Sequence, residues 1–525
     1  MTDDNPKIGK DVIESLTLGM YEDCRFIYRE YIQNAADQID KAIESNLLKK
    51  GEEEIHVIIK ENERIIRIED NATGIQNDKV EPILRNIAHS TKKRGIDKGF
   101  RGIGRLGGLG YCSKLIFETS FSGEPVKSIM TWDAELLKFI INDRDQNEEA
   151  IDVLSKVTNT VTKQEDKDAH YFHVIMEDVT SDDLLDVNRV RDYLSMVAPV
   201  DIASKFIFRN DINKFMKANE LTIDTYNIFI NGEQIYKPYT NCIYEDLNGG
   251  KKKIDDILGV DFLMSKDKND NIIYWGWYSL SRLNGQMKQK NIARGIRLRK
   301  ENIQIGDEEI CKKFFSKTED QRFSFYFFGE IHAVGKGLIP NSRRDYFSEC
   351  SECADFERNI KQDFLKLREL CYDAQKFRSS AKTIAKGQEL KNKIETKDKT
   401  GYTSPKEKDD LQHLYEEHQK KEEQARKQLA NVQTKLEINK SPLRSILDKL
   451  KPEEKMQTSV SEPTTNTTYD SQGRIRFRTD KPIYAKYSKQ ERKLIGKIYA
   501  AISNAIPDER LCEAIINKIE ENITR

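Results

Sequence analysis

The sequence lacks an excess of charge of one sign and lacks long apolar runs. Its 525 residues carry 87 Lys and Arg against 88 Asp and Glu, which leaves a net charge of −1. This balance excludes a uniformly basic nucleic-acid coat protein or an acidic tail protein, although it leaves room for a local basic patch. No stretch approaches the roughly 20 apolar residues of a membrane span, and the start of the chain has no apolar core for a signal peptide. We therefore expect no membrane association.

Cysteine is also scarce, with eight residues in the whole chain. That number is too small and too scattered for a disulfide framework, so we expect a reduced, cytoplasmic protein. Two of the cysteines, Cys350 and Cys353, form a lone C-x-x-C. Without a second pair or a nearby pair of histidines, this spacing is compatible with coincidence as well as with a zinc or redox site.

Charged residues of both signs are abundant, at 33% of the chain, against about a quarter in an average globular protein. Long solvated helices would account for part of this excess. A length of 525 residues suggests about three domains at roughly 150 residues each. Composition and pattern predict a finer division, namely 1–200 and 201–360 as mixed units, 361–450 as a helical arm, 451–480 as a linker, and 481–525 as a terminal helical module.

Hydrophobic periodicity predicts the elements of the two mixed units. Helices are expected at 23–46 and 187–197, strands at 54–60, 65–70, 114–121, 171–179, 272–280 and 322–334, and a hairpin with an Asn-Gly turn at 227–235. In the arm, eight residues recur at alternating three- and four-residue steps: Leu411, Leu414, His418, Lys421, Ala425, Gln428, Val432 and Lys435. Only four of these are apolar, so an antiparallel helical hairpin or coiled-coil arm and a single solvated helix both remain open.

Three segments carry residues suited to nucleotide chemistry. In the first, Glu30, Asn34 and Asp37 share one face of a predicted helix. There the carboxylate of Glu30 could activate a water, and the amide oxygen of Asn34 could hold a cation. Alternatively, they form the polar outer face of a surface helix.

The second segment is IEDNATGI, residues 68–75. It places Asp70 at the end of a strand, before a turn that ends in Gly74, where its carboxylate could accept a hydrogen bond from an exocyclic amine such as that of adenine. The alternative is an ordinary glycine-containing turn.

The third segment, GFRGIGRLGGLGY at 99–111, holds six glycines in twelve residues. Such a stretch can present backbone N–H groups to phosphates. It lacks the G-K-[ST] ending of a Walker loop. Just before it, Ser90 and Thr91 open a segment that could fold over a nucleotide.

Together, the three segments resemble the motifs of the GHKL superfamily, which includes gyrase, histidine kinases, MutL and the ninety-kilodalton heat-shock chaperone. Glu30, Asn34, Ala35 and Asp37 match E-x-x-x-N-A-x-D, and Asp70 matches D-x-G-x-G, in which Ala72 replaces the first glycine. The lid-end glycine box is matched by Gly104, Gly107, Gly108 and Gly110, and the asparagine near the start of the lid by Asn86. The chaperone branch is the most similar.

The resemblance implies a Bergerat-type site for ATP and Mg²⁺. In it, Glu30 would be the general base, Asn34 the magnesium ligand, and Asp70 the reader of adenine, with a lid at 90–101 ordered by nucleotide. One departure concerns the family threonine that supports the adenine-reading aspartate, because His170 or a neighbour stands in its place.

The resemblance extends over residues 8–360 and implies an S5-like transducer domain after the ATPase domain. In this second domain, GLIPNSRRDYF at 337–347 is similar to the segment whose arginine reaches the terminal phosphate. Arg344 is the best match, Arg343 is a close rival, and Lys336 is a weaker candidate. The alternative is a basic surface loop.

A basic strand offers a different function. Its cations, which could contact nucleic-acid phosphates or face solvent, a client or a partner, are Lys288, Lys290, Arg294, Arg297, Arg299 and Lys300. The sequence thus predicts an α+β protein that binds and slowly hydrolyses ATP as a conformational switch, with two subunits closing on ATP. The alternatives are a DNA-associated clamp similar to microrchidia or MutL ATPases, and a nucleotide switch with little turnover.

Overall fold

A computed structural model provides the three-dimensional structure. It describes residues 8–17, 23–87, 104–143, 148–247, 250–439, 441–450, 467–469, 475–477, 484, 487–505, 515–516 and 518–519. Among these residues, no helix combines the length and the apolar character needed to cross a bilayer. By internal contacts the chain divides into two units. The first comprises Met1–Tyr239, Gly259–Leu280 and Ile292–Glu369, and the second Thr240–Leu258, Ser281–Asn291 and Leu370–Arg525.

The fold class is α+β, as predicted. The helices are α1 (Asp11–Thr17), α2 (Phe26–Glu44), α3 (Val80–Leu84), α4 (Ala134–Asn142), α5 (Ala150–Val157), α6 (Asp182–Leu185), α7 (Val187–Val197), α8 (Arg209–Ala218), α9 (Ser351–Thr400), α10 (Pro405–Ile438) and α11 (Lys489–Ala505). Short 3₁₀ helices cover Asn77–Lys79, Gly104–Gly110, Ile310–Phe314, Thr318–Tyr326 and Pro442–Leu450.

The strands in the first half of the chain are β1 (Glu54–Lys60), β2 (Ile65–Asp70), β3 (Lys114–Ser120), β4 (Val126–Asp133), β5 (Thr158–Gln164), β6 (Tyr171–Glu177), β7 (Asn227–Ile230), β8 (Glu233–Gln234) and β9 (Cys242–Leu247). The remaining strands are β10 (Gly250–Asp256), β11 (Gly259–Lys266), β12 (Ile272–Leu280), β13 (Gly295–Lys300), β14 (Ile303–Ile305), β15 (Phe328–Ala333), β16 (Thr467–Tyr469) and β17 (Ile475–Phe477).

The first sheet has eight strands in the order β5-β4-β3-β6-β2-β1-β7-β8. All its pairs are antiparallel except β1 with β7. The predicted Asn-Gly hairpin at 227–235 is confirmed, since Asn231 and Gly232 have the positive φ values of 47° and 82° that a two-residue turn requires. This hairpin was expected to belong to the second mixed unit, 201–360. Instead, its strands β7 and β8 extend the edge of the first sheet. Helices α2 and α7 contribute Ile27, Ile39 and Leu194 to the core of the sheet.

The second sheet has five strands in the order β11-β12-β15-β13-β14. Its core is aromatic, and the rings of Trp277 and Tyr239 meet edge to face at 5.0 Å. The predicted strand at 322–334 is wrong over its first half, where Thr318–Tyr326 is a 3₁₀ helix and the strand begins at Phe328. A three-residue turn brings Asp320 and Phe323 to the same side, and both are buried.

In the second unit, α9 and α10 form the predicted antiparallel helical hairpin. Lys435 pairs with Asp373 at 2.8 Å near one end, and Lys397 pairs with Glu407 at 2.8 Å near the other. The predicted seam is only half right. The buried residues of α10 are Leu411, His418, Ala425, Val432 and Leu436, while the predicted partners Leu414, Lys421 and Gln428 are exposed. The second row of the seam therefore lies four residues after the first, not three.

The C-terminal part of the second unit is described only in pieces. The predicted linker at 451–480 lies largely outside the described residues, but Thr467–Tyr469 pairs with Ile475–Phe477 as a short antiparallel hairpin. Within the predicted terminal module, Tyr484, Tyr499 and Ile516 are buried together, and α11 supplies the middle residue. The five-part domain division remains a prediction.

Candidate nucleotide site

Helix α2 presents the predicted acid–amide–acid face. Its apolar residues Ile27, Ile32 and Ile39 are buried against the first sheet, which fixes the helix and turns the other face away from the sheet. On that face the side chain of Glu30 is 13% exposed, Asn34 is half-buried, and Asp37 is buried. A carboxylate and an amide that are neither free in solvent nor packed in the core are available to a ligand.

Asp70 ends β2 in a buried position. Burial raises the pKa of its carboxyl to about 7, although the backbone N–H groups of Ala72 and Phe172 that face it lower the pKa. The Ala72 N–H donates to Oδ1 at 3.0 Å. A desolvated acceptor of this kind gains from a polar ligand that supplies a donor, which is what the adenine amine would do.

The turn after Asp70 requires its glycine. Gly74 has φ +65°, and a Cβ placed there would lie 1.8 Å from the Ser120 carbonyl oxygen of β3. The two backbones are therefore in direct contact, which no larger residue permits.

A threonine that the sequence analysis missed supports the same turn. The hydroxyl of Thr119 accepts a hydrogen bond from Ile75 N–H at 2.9 Å and donates to the Tyr171 carbonyl at 2.9 Å. His170, which replaces the family threonine in sequence, instead lies with Nδ1 2.9 Å from the Ala72 carbonyl. The sequence did contain a signal for Thr119. In the strand KLIFETS, the alternation of side chains places it on the buried face of the sheet with Leu115 and Phe117.

The glycine box forms a 3₁₀ helix, Gly104–Gly110, that packs directly on α2. An added Cβ would lie 2.4 Å from Glu30 Oε2 at Gly104, 2.7 Å from Phe26 Cζ at Gly107, and 2.5 Å from the Tyr31 hydroxyl at Gly108. Close helix packing thus explains these three glycines.

The Tyr31 hydroxyl links α2 to the glycine box through two hydrogen bonds. It donates to the Arg105 carbonyl at 3.0 Å and accepts from Gly108 N–H at 3.1 Å. The Gly108 N–H is therefore used within the protein. Gly110, at the other end of the box, is half-buried.

The lid residues Ser90 and Thr91 lie outside the described residues, as does the whole of the predicted lid at 90–101. Asn86, at its start, is exposed, and its carbonyl accepts a hydrogen bond from the Arg105 guanidinium. This bond connects the two ends of the lid segment.

Two arginines converge on Glu30. Arg29 Nε lies 3.7 Å and Arg344 Nε 3.8 Å from Glu30 Oε1. The loop at 337–347, which follows β15 of the second sheet, thus brings Arg344 to the predicted base on α2. Arg344 is only 8% exposed, and burial lowers its pKa while Glu30 raises it.

The two rival cations are placed differently. The Arg343 side chain is exposed, and its carbonyl accepts a hydrogen bond from Arg29 at 3.3 Å. Lys336 is exposed as well. The structure therefore brings Arg344 to Glu30 and leaves the other two side chains at the surface.

Residues 29–170 match the protein family described as "Histidine kinase-, DNA gyrase B-, and HSP90-like ATPase". This match covers Glu30, Asn34, Asp70 and the glycine box. Residues 29–170 are therefore similar to a GHKL-type ATPase domain. The ninety-kilodalton chaperone branch is not singled out by this match, because the family description spans several branches.

One solved structure is similar to this chain at a low level. The ATPase region of Saccharomyces cerevisiae topoisomerase II aligns over 66% of this chain and 85% of that chain, with 15% sequence identity and a TM-score of 0.35. A likeness at this level carries no weight for function. No curated protein matches the chain.

The three arginines of the predicted basic strand do not form an exposed phosphate-binding surface, whereas Lys288 and Lys290 are exposed. Arg294, Arg297 and Arg299 are at most 8% exposed. Arg294 and Arg297 lie 3.6 Å from Glu308, and Arg299 lies 2.7 Å from Glu330. Arginines that are buried and paired with carboxylates are unavailable to nucleic acid, and the part of the prediction that depends on these three arginines loses its support.

The C-x-x-C pair likewise shows no metal geometry. Cys350 is exposed and donates to the Gly337 carbonyl at 3.3 Å, and Cys353 is buried. Within the described ranges, no group of three or more His, Cys, Asp and Glu side chains could hold a metal ion.

Proposed function

We propose that this protein binds ATP and hydrolyses it slowly, and that hydrolysis is coupled to the approach of Arg344 to the nucleotide. The supporting observation is the position of Glu30. Its carboxylate lies between α2, the glycine box and Arg344, with Gly104 close to one oxygen and Arg344 3.8 Å from the other. A half-buried carboxylate bordered by a cation from another sheet suits a base that orients water for phosphoryl transfer.

In this proposal Asp70 accepts a hydrogen bond from the adenine amine. The carboxylate is buried at the end of β2, and it would exchange an unfavourable desolvated state for a hydrogen-bonded one when adenine binds. Gly74 keeps the turn close to β3, so that the base can enter beside Asp70.

The residues around Glu30 fit one magnesium ion. Magnesium in phosphate sites is usually held by one or two protein oxygens together with substrate phosphates and water. The amide oxygen of Asn34 would be the protein ligand, one turn of α2 after Glu30, with the carboxylate of Asp37 one turn further on. The ion would neutralise phosphate charge, while Asn34 would fix its position relative to the base.

Arg344 would stabilise the charge that develops on the terminal phosphate. When nucleotide is absent, its partner is Glu30. Arrival of a phosphate would give Arg344 a stronger partner and leave Glu30 to bind water. This exchange would make the second sheet sensitive to nucleotide, which is the conformational coupling expected of a chaperone-like switch.

The experiment is a coupled ATPase assay combined with nucleotide binding by calorimetry. We expect Glu30→Ala to bind ATP within about threefold of wild type and to lose turnover by at least about 100-fold. Arg344→Ala should lower turnover strongly, whereas the neighbouring exposed Arg343→Ala serves as the matched control and should leave it nearly unchanged.

Equal turnover of wild type and Glu30→Ala would show that the base is misassigned. ATP binding by the wild type without measurable turnover would favour the nucleotide switch with little hydrolysis. The proposed closure of two subunits on ATP is tested by light scattering with a non-hydrolysable analogue, and a mass that stays monomeric would reject it.

A further inference from the structure

A fully buried ionic cluster lies beside the second sheet, remote from the nucleotide residues. Its centre is Glu330 on β15, which is 0% exposed. Oε1 accepts from Arg299 Nε at 2.7 Å and from the Tyr239 hydroxyl at 2.9 Å. Oε2 accepts from Lys237 Nζ at 3.0 Å and lies 3.1 Å from His332 Nε2. Sequestering this many ionisable groups is costly unless they are paired and hydrogen-bonded, as they are here.

The cluster joins the two sheets of the first unit. Lys237 belongs to the segment after β8, where its N–H donates to the Asp201 carbonyl at 2.9 Å. Arg299, on β13, donates through Nη2 to the Met196 carbonyl of α7 at 2.7 Å. Helix α7 in turn packs on the start of α2, where the Arg25 guanidinium lies 5.0 Å from the Tyr193 ring centre. One side of the cluster is therefore fixed to the helix pair that carries Glu30.

The other side of the cluster holds the turn between β13 and β14. Lys237 Nζ donates to Asn302 Oδ1 at 2.5 Å, and Arg299 Nη1 donates to the Asn302 carbonyl at 3.0 Å. Glu301 and Asn302 both have positive φ, 52° and 61°, which is a strained conformation for residues other than glycine. The side-chain bonds of Asn302 oppose relaxation of this turn.

The same turn leads directly to Arg344. Strand β14 is three residues long, and immediately after it Gly306 N–H donates to the Arg344 carbonyl at 2.8 Å. Gly306 has φ +65°, and a Cβ there would lie 2.9 Å from the Asp345 carbonyl. Glu301 also acts electrostatically on the Arg344 guanidinium. A short rigid strand thus connects the cluster to the arginine that faces Glu30.

We propose that Lys237 and Asn302 are positioning residues for ATP hydrolysis, which set the place of Arg344 relative to Glu30 through the β13–β14 turn. This inference rests on the proposed function. It goes further by giving a role to a buried cluster that does not touch the nucleotide residues.

Lys237→Met is the most informative variant. Burial lowers the pKa of Lys237 to about 7, so an uncharged side chain of similar length replaces a group whose charge is weakly held. Arg299 and Glu330 still neutralise each other in the variant, and no unpaired charge is created. Glu330→Gln, by contrast, would leave two buried cations without a carboxylate.

We expect Lys237→Met to lower kcat for ATP at least fivefold while KM changes less than twofold, because the proposed adenine contact at Asp70 and the proposed cation contact at Asn34 are untouched. The effect should vanish in an Arg344→Ala background, since a positioning residue has nothing left to position. Tyr274→Phe is the matched control. Tyr274 lies on β12 of the same sheet, and its hydroxyl donates a buried hydrogen bond to Asp363 at 2.7 Å. Removing this bond should lower thermal stability without changing kcat.

Asn302→Gly provides the second variant, because glycine keeps the left-handed turn while it removes the side-chain bonds. It should show the same loss of kcat, so the inference remains testable even if Lys237→Met does not fold. Losses of kcat that stay equally large with Arg344→Ala present would overturn the inference, as would unchanged kcat in Asn302→Gly. Failure of the proposed function would instead appear as absent turnover in the wild type.

Discussion

The variant Asp70→Asn distinguishes the effect of the buried carboxylate on stability from its proposed role in binding adenine. Burial moves the pKa of Asp70 from 3.8 to about 7. Each pH unit between these values corresponds to about 1.4 kcal/mol, so an ionised Asp70 lowers the stability of the free protein by roughly 4 kcal/mol above pH 7. The folded state binds the proton more tightly than the unfolded state, so stability falls as pH rises from 4 to 7 and is flat beyond.

Asparagine removes this pH dependence. Its single amide oxygen replaces two carboxylate oxygens as acceptor, and a backbone N–H that loses its partner costs about 1–3 kcal/mol at every pH. The informative quantity is therefore the difference between variant and wild type at two pH values. We expect the free energy of unfolding of Asp70→Asn, relative to wild type, to rise by about 3 kcal/mol between pH 5 and pH 8.

The assay is urea unfolding without nucleotide at pH 5 and pH 8, followed by circular dichroism. Asp78→Asn, at an exposed position of the same domain, is the control and should show little pH-dependent change. A difference between Asp70→Asn and wild type that is equal at both pH values would refute the desolvation of Asp70. At pH 8 the variant should also bind ATP about 10- to 100-fold more weakly, and unchanged affinity would refute its role as adenine reader.

Three glycine substitutions test close contacts. Gly104→Ala places a methyl group 2.4 Å from Glu30 Oε2, and we expect turnover to fall about 10- to 100-fold with an unchanged urea midpoint; normal turnover would contradict the packing of the glycine box on the base. Gly74→Ala meets a backbone carbonyl at 1.8 Å with φ +65° and should cost about 3 kcal/mol or more of unfolding free energy, so a neutral result in urea would be contrary evidence. Gly387→Ala, inside α9, places a methyl group 2.1 Å from Glu422 Oε2, the far end of a long side chain, and 3.4 Å from His418 Nδ1. Helix propensity should dominate, and the free energy of unfolding should rise by up to about 1 kcal/mol; a clear loss would show that the crossing of α9 and α10 cannot adjust.

Local pattern was sufficient for many of the elements. The strands at 54–60 and 65–70 and the helix at 187–197 were predicted to within a residue, because each combines regular periodicity with a clear turn or cap at its ends. The strand predicted at 322–334 failed, since a run of aromatic residues fits a strand and a buried 3₁₀ turn equally well. Only packing against the second sheet decides between them.

In the helical arm, local pattern predicted the helices but not all of the residues that the helix pair buries. The seven-residue spacing of Leu411, His418, Ala425 and Val432 located the buried row of α10. The second row was placed one residue too early, because apolar residues occur at both sets of candidate positions, with Leu414 in the earlier set and Leu429 and Leu436 in the later set. The partner helix α9 decides which side is covered.

The sequence by itself located the residues of the proposed nucleotide site and suggested their roles. Glu30, Asn34, Asp70 and the glycine box lie in segments whose residue types and spacing carry the family pattern, so each could be named without coordinates. Their roles follow from short-range features, namely one face of a helix, the end of a strand and a run of glycines.

Tertiary structure alone decided what reaches that site from far along the chain. Arg343 and Arg344 are adjacent and alike in sequence, yet one is exposed and the other lies 3.8 Å from Glu30, because a turn of the loop directs successive side chains oppositely. The arginines of the strand at 295–300 look like a basic surface and are buried against carboxylates from other segments. Ion pairs between residues far apart in the sequence form only when folding buries them together. The local sequence pattern does not specify which residues will be buried together.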